Sequence, residues 1–402
     1  MKYWRGYVVA FIFAAITVVL MQMGQRFTTL VDMVYPYVTR TLQDMLAQWS
    51  GGVDFLLWQL VASFLIVLGL ASVVLMIMFK WNPIQWLGWV LACGTGIFML
   101  HTVVYGLNQY AGPIADDIRL EVSEYNLDEL AEATIYYRDQ ANALAPQVNR
   151  DADGNVRFQE FSVLANQAGD GFHALTYEYS YPIFAGNTLP VKELGWADMY
   201  TSMGITGISM GLTGEAAVNP QIPAVSLPFT MCHEMAHRMC IATERDANFA
   251  GFLACQANES IEFQYSGYFM AYRYCYNAIA RIGTPEASAL AARISSGTNA
   301  QLKQDMKFYD EFFAKHRDDT ATKVATTAND TYLKTSGDSA GVQSYANVSD
   351  LLVCWHIQQI VLPSITEEEK PFDPYDESQV DLSGLPNAKP AEEPTEETTP
   401  NG

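Results

Sequence analysis

The chain has 402 residues, half of them hydrophobic and only 17% charged, with a mean hydropathy of +0.03. It is too apolar for an average soluble protein and too polar for one embedded in a bilayer throughout. A net charge of −21, with 23 basic residues against 44 acidic ones, argues against a nucleic-acid partner, because phosphate binding is carried by clustered Lys and Arg.

The apolar residues gather at the N-terminus. Residues 7–23 are uncharged and flanked by Lys2, Arg5 and Arg26, which suits either a signal peptide or a first membrane helix. Two further runs, 55–79 and 86–105, separated by Lys80 and the Asn82-Pro83 turn, favour the second. Each run is long enough to cross roughly 30 Å of hydrocarbon, and each is apolar all round rather than along one stripe. Three spans are therefore predicted, over about 7–23, 55–79 and 86–105. Lys2, Arg5 and Lys80 place the N-terminus and the second turn on the cytoplasmic side, so everything after the third span lies outside. In the first outer loop Leu30, Met33, Val34, Tyr37, Val38, Met45, Leu46 and Trp49 recur at helical spacing, broken by Pro36. They predict a helix over about 27–49 lying at the membrane interface.

Beyond this membrane domain of residues 1–107, composition becomes that of a soluble domain. Residues 108–365 are enough for one sizeable core. Helical patterns run over 127–144, 229–240, 244–258, 261–280, 285–295, 300–315 and 348–362, and the Gly- and β-branched-rich piece 203–218 reads as short strands with turns. The fold class expected is mainly α, three transmembrane helices followed by a mostly helical extracytoplasmic domain with a few strands. The tail 366–402 holds eleven acids against two lysines and almost no large apolar residue, so disorder is expected there.

The chemistry lies in PFTMCHEMAHRMCIATERDANFAGFLAC, residues 228–255. His233 and His237 are four apart, so on a helix both imidazoles project from one face and can bind one zinc ion (Zn2+), with Glu234 beside them as general base. Pro228 and Thr230 are helix-start signals. Glu244, seven residues past His237, completes two histidines and a carboxylate, the donor set of a catalytic zinc with a position left for water. Glu244 and Asp246 are two apart and point in different directions, so only one reaches the metal. The longer Glu244 is favoured, and Asp246 would then orient a ligand histidine.

Taken in order, GLNQY at 106–110, TGEAAVN at 213–219, HEMAH at 233–237, ERDANF at 244–249, YSGY at 265–268, and TYLKTSG and GVQSYANVSDLL within 331–352 resemble the bacterial domain-of-unknown-function family numbered 3810. The resemblance covers nearly the whole chain apart from the acidic tail. It implies a membrane-anchored, zincin-like protein with N-terminal helices followed by a metallopeptidase domain. One departure is Cys240, where the family usually has Gly, three residues after the second histidine. A side chain there is less free to take a left-handed turn.

Other groups carry competing readings. Glu215 and Asn219 sit on a strand that can bind extended substrate by edge pairing, or Glu215 forms a buried ion pair with Arg238 or Arg245. Tyr265 and Tyr268 can donate to an oxyanion or simply pack. Asn149, Asp151, Asp153, Gly154, Val156 and Glu160 fit a calcium-loop spacing apart from Asn149 at its first position, and turn chemistry explains the cluster equally well. Among the cysteines, Cys255 and Cys275 are the expected pair. The expectation is a membrane-bound zinc peptidase cutting peptide or protein substrates. The alternatives are an inactive scaffold or adhesion protein and a hydrolase of non-peptide amides. An intramembrane protease is disfavoured by the polar residues around His233.

Overall fold

The structure, a computed structural model, describes residues 4–336 and 348–363. The acidic tail over 366–402 lies outside them, as do parts of the last two family motifs. The described chain is mainly helical, with fifteen helices and one three-stranded sheet.

It begins with α1 (Arg5–Arg26), α2 (Thr28–Ser50), α3 (Leu57–Met78) and α4 (Pro83–Val104). Helices α1, α3 and α4 are 22 residues each, long and apolar enough to cross a membrane. The third starts earlier than its apolar run because Asn82 caps it, accepting from the Gln85 amide, and Pro83 occupies its first turn, where a missing N–H costs nothing. Helix α1 packs against α4 through glycines: a Cβ on Gly6 would sit 2.5 Å from the Gly88 carbonyl carbon, so the backbones meet directly. Gln59 is the only buried residue of α3.

Helix α2 runs unbroken through Pro36. Its buried face is Pro36, Thr39, Gln43, Ala47 and Ser50, and the opposite, apolar face, from Leu30 and Met33 to Met45 and Trp49, is exposed. The helix therefore docks by its small and polar side. Gln43 donates to the Gly211 carbonyl, Thr39 to Asn108, and Arg40 to the Met239 carbonyl.

A 3-10 turn, Gly106–Tyr110, leads into α5 (Ile114–Asp117), α6 (Leu127–Leu144), α7 (Phe161–Tyr177), β1 (Lys192–Glu193), α8 (Ala197–Met203), β2 (Gly207–Met210) and β3 (Glu215–Val218). Then follow α9 (Leu227–Arg238), α10 (Glu244–Ala257), α11 (Ile261–Ile282), α12 (Pro285–Ser296), α13 (Ala300–His316), α14 (Asp319–Ser336) and α15 (Val348–His356). A capping box of Asn126 and Glu129 starts α6. The sheet order is β1-β3-β2, with β3 parallel to β1 and antiparallel to β2, Ile208 opposite Ala217. The core gathers α6, α7, α9, α10, α11 and α15 around Tyr137, Phe172, Phe252 and Phe269. From residue 358 the chain forms a second unit, whose described part, 358–363, holds the end of a wide helical turn.

Candidate metal centre

Helix α9 is buried along its whole length, and neighbours supply what its ends lack. Pro228 lies in the first turn, and Ser266 of α11 donates no competing apolar bulk but accepts from the Phe229 amide at 3.0 Å. One residue on, Gly267 lets α11 close on α10, because a Cβ there would meet the Cys255 Cβ at 2.6 Å. In α10, Gly251 performs the same task against the backbone of His233. The YSGY motif thus works through its serine and glycine. Its tyrosines pack elsewhere: Tyr265 bonds Asp305, and Tyr268 stacks edge-on with Phe252 and Tyr136.

The turn after α9 brings the next helix back onto it. Cys240 has φ +69°, the left-handed conformation that favours glycine, while the Cys240 amide bonds the His237 carbonyl and the Ile241 amide bonds the Ala236 carbonyl. This closure leaves the Ile241 carbonyl 2.9 Å from Nδ1 of His237. Thr243 then caps α10 by accepting from the Asp246 amide, which sets Glu244 in the first turn.

His233, His237 and Glu244 converge. Nε2 of His233 and of His237 lie 3.3 and 3.5 Å from Oε2 of Glu244, and the two rings are 4.6 Å apart and nearly perpendicular. The donor atoms all lie within 4.8 Å of one another, and all three residues are buried. Among the described residues Glu244 Oε2 has no aligned hydrogen-bond donor despite its burial. Two imidazoles and a carboxylate aimed at one point, without satisfying each other, fit a metal ion, and the group can hold one.

Electrostatically the three groups are tightly coupled. Burial works against the charged form of Glu244, yet the adjacent His237 holds its carboxyl well below the usual carboxylate range. For His237, burial is outweighed by the Glu244 charge, so its pKa is pushed up to about 9. Burial lowers that of His233, although Glu244 and the Asn248 side chain favour its protonated form. Asn248 in turn accepts from Tyr274 at 3.0 Å. Glu234 lies on the same helix, and burial pushes its carboxyl up to about 8. Among the described residues its Oε2 has no hydrogen-bond partner. Gly207 of β2 makes room for it, since a Cβ there would lie 2.6 Å from the Glu234 Cγ.

All four residues line a cavity of about 940 Å³ shared by β2, α14 and the C-terminal half of α4. Asp246 is turned away from the histidines, accepting from the Ile114 amide at 3.2 Å and pairing with Arg245.

Glu215 and Asn219 do not reach the cavity. β3 is the central strand, so its edges are taken, and Glu215 pairs with Lys192 rather than with an arginine. Its carboxylate also accepts from the Leu57 and Trp58 amides at 2.9 Å each, capping α3. Asn219 bonds Thr201 and the Gln221 amide, tying α8 to the strand. Arg238 is buried instead against the Asn187 and Leu189 carbonyls, with Asp44 of α2 the nearby charge. Cys255 and Cys275 are both free thiols, and Cys255 sits against Cys232. In the calcium-like loop, Asp151 accepts from the Asp153 and Asn155 amides, as a turn requires.

A family profile described as protein of unknown function (DUF3810) matches residues 31–353. No curated protein and no solved structure matches the chain.

Proposed function

The chain belongs to the DUF3810 family of proteins of unknown function, and from the site it carries we propose that it is a membrane-anchored zinc metallopeptidase. The observation that carries this reading is the buried Glu234, whose Oε2 has no hydrogen-bond partner among the described residues, beside the converging His233, His237 and Glu244. These three residues would hold the zinc. Bound there, zinc supplies a Lewis acid that polarises a scissile carbonyl and acidifies water.

The protein's own groups would do the rest. Glu234 takes the proton of the attacking water and passes it to the leaving amine, a role suited to a carboxyl whose affinity for protons burial has raised. The Ile241 carbonyl holds His237 through Nδ1, which leaves Nε2 turned toward Glu244 and free to hold the zinc. β2 is an edge strand, and Gly207, Ile208, Ser209 and Met210 line the cavity. Among the described residues no strand pairs its outer edge, which leaves it for an extended substrate. Edge pairing thus moves from the strand of Glu215 to its neighbour. In this reading 1–107 is a multi-pass membrane domain with its N-terminus in the cytoplasm, and 108–365 is an extracytoplasmic peptidase domain. Arg5 and Lys80 at the inner ends support that orientation.

The test joins metal analysis to turnover. One zinc per purified chain, with loss of proteolysis in Glu234→Gln at undiminished zinc, is the expected result. Absence of stoichiometric zinc, or shed and membrane proteomes indistinguishable between wild-type and Glu234→Gln cells, overturns it.

A further inference from the structure

The cavity that holds the candidate metal group extends down a membrane helix. Gly94, Ile97, Phe98 and His101 of α4 line it together with Glu234 and Glu244. Gly94 lies ten residues before the end of α4 at Val104, which at the rise of an α-helix is about 15 Å, or half the hydrocarbon thickness. Gly94, Ile97 and His101 follow at helical spacing on one face. The residues that meet α1, Gly88 and Gly96, lie on another, against Tyr7 and Phe13. The cavity side of α4 is thus the side turned away from α1. Ile97 is 44% exposed and an added Cβ at Gly94 would meet nothing within 4 Å, so among the described residues this face is left open. An ionisable residue such as His101 inside a span is costly in lipid and is found where it faces a cavity or pathway.

We propose that substrate enters this cavity from the plane of the membrane, along α4, and that it is a polypeptide tethered to the bilayer by a spanning helix, cut where its extended tail leaves the hydrocarbon. This rests on the peptidase reading and names its substrate class. A polypeptide fits better than a lipid, because β2 also lines the cavity and its outer edge is paired by no described strand, so its backbone donors and acceptors match an extended chain. Tethering also confines the tail near the entrance, which replaces a bimolecular encounter by a local concentration in the millimolar range.

The experiment uses the full chain carrying Glu234→Gln, reconstituted with zinc in liposomes, with a photoreactive side chain at the Ile97 position. The probes are a synthetic leucine-alanine spanning helix of about 20 residues bearing a polar tail, and that tail alone. Capture of the tethered probe at least tenfold above the free tail is expected. Gly94→Trp, which fills the floor, and Ala328→Trp, which narrows the cavity from α14, should each reduce capture at least fivefold with zinc content unchanged. Gly69→Trp, on the open surface of α3, should leave it as it was. Equal capture of both probes, capture of lipid in place of peptide, or indifference to both cavity substitutions overturns the proposal. Cutting is scored separately with Glu234 restored. Tethered capture without cutting upholds membrane entry and counts against the peptidase reading. Equal cutting of tethered and free tails upholds the peptidase and overturns membrane entry.

Discussion

The carbonyl oxygen of Ile241 lies 2.9 Å from Nδ1 of His237, and the residue between them that makes this possible, Cys240, holds a left-handed φ of +69°. A helix end, the orientation of the His237 ring and the approach of Glu244 are therefore set by one turn. Residues that orient a ligating histidine are worth about 10- to 100-fold in metal affinity.

The first prediction follows from that turn. Cys240→Val, β-branched and poorly tolerated at positive φ, should weaken zinc binding by about tenfold or more, whereas Cys240→Gly should retain it. Competition titration with a chelator reads both, and equal affinities for the two variants would count against the role of the turn.

Gly207 should be intolerant of a side chain for a reason separate from metal binding. Gly207→Val places atoms where Glu234 now lies. Turnover should fall at least tenfold at unchanged zinc content, in line with the 10²–10⁴ typical of proton-transfer groups. Unchanged turnover, assayed beside Glu234→Gln, would separate the strand from the proposed base.

Zinc affinity should depend on pH with a definite sign. In the metal-free protein His237 keeps its proton up to about pH 9, and a ligand must shed its proton to bind metal. Affinity should therefore rise about tenfold per pH unit between pH 6 and 8 and level off above 9. A flat profile over that window refutes the coupling.

Glu215→Ala removes the partner of Lys192 and of two α3 amides at once. Breaking a buried pair costs about 3–5 kcal/mol. The expected result is a lower thermal midpoint in detergent, with zinc stoichiometry intact in the folded fraction. Loss of activity with stability unchanged would instead restore Glu215 to a substrate role.

His356 packs against Tyr136 and Tyr137, and burial lowers its pKa from 6.5 to about 4. Its neutral form is thus the one the fold accepts, so its contribution is full above about pH 6.5 and is lost as pH falls toward 4. His356→Phe should flatten that part of the stability profile, measured as thermal midpoint from pH 7 to 4.5. Identical slopes in the two proteins would remove His356 as the cause.

Local spacing made much of this readable in the chain itself. The three long apolar helices announce themselves by composition, and His233, His237 and Glu244 by periodicity on consecutive helices. The opposed directions of Glu244 and Asp246 follow from a two-residue offset. What escaped depends on partners distant in sequence. Nothing near Glu215 points to the amides of Leu57 and Trp58, and nothing near Ser266 points to the Phe229 amide. The tyrosines of YSGY carry the conspicuous chemistry yet pack away from the site, whereas its glycine acts through what it lacks. Pro36 reads as a helix break until tertiary packing holds the helix through it, and adjacency along the chain suggests pairing Cys255 with Cys275, which the fold leaves as free thiols.

The Glu215 cap also sets an order of events during synthesis. Leu57 precedes Glu215 by 158 residues, so at 5–20 residues per second the acid emerges roughly ten to thirty seconds after the helix it caps. Until then the α3 amino end and Lys192 both lack this acceptor. The bonds that finish the amino end of the second apolar helix therefore form only after β3 has been made, which ties the capping of that helix to the strand beside the candidate metal group.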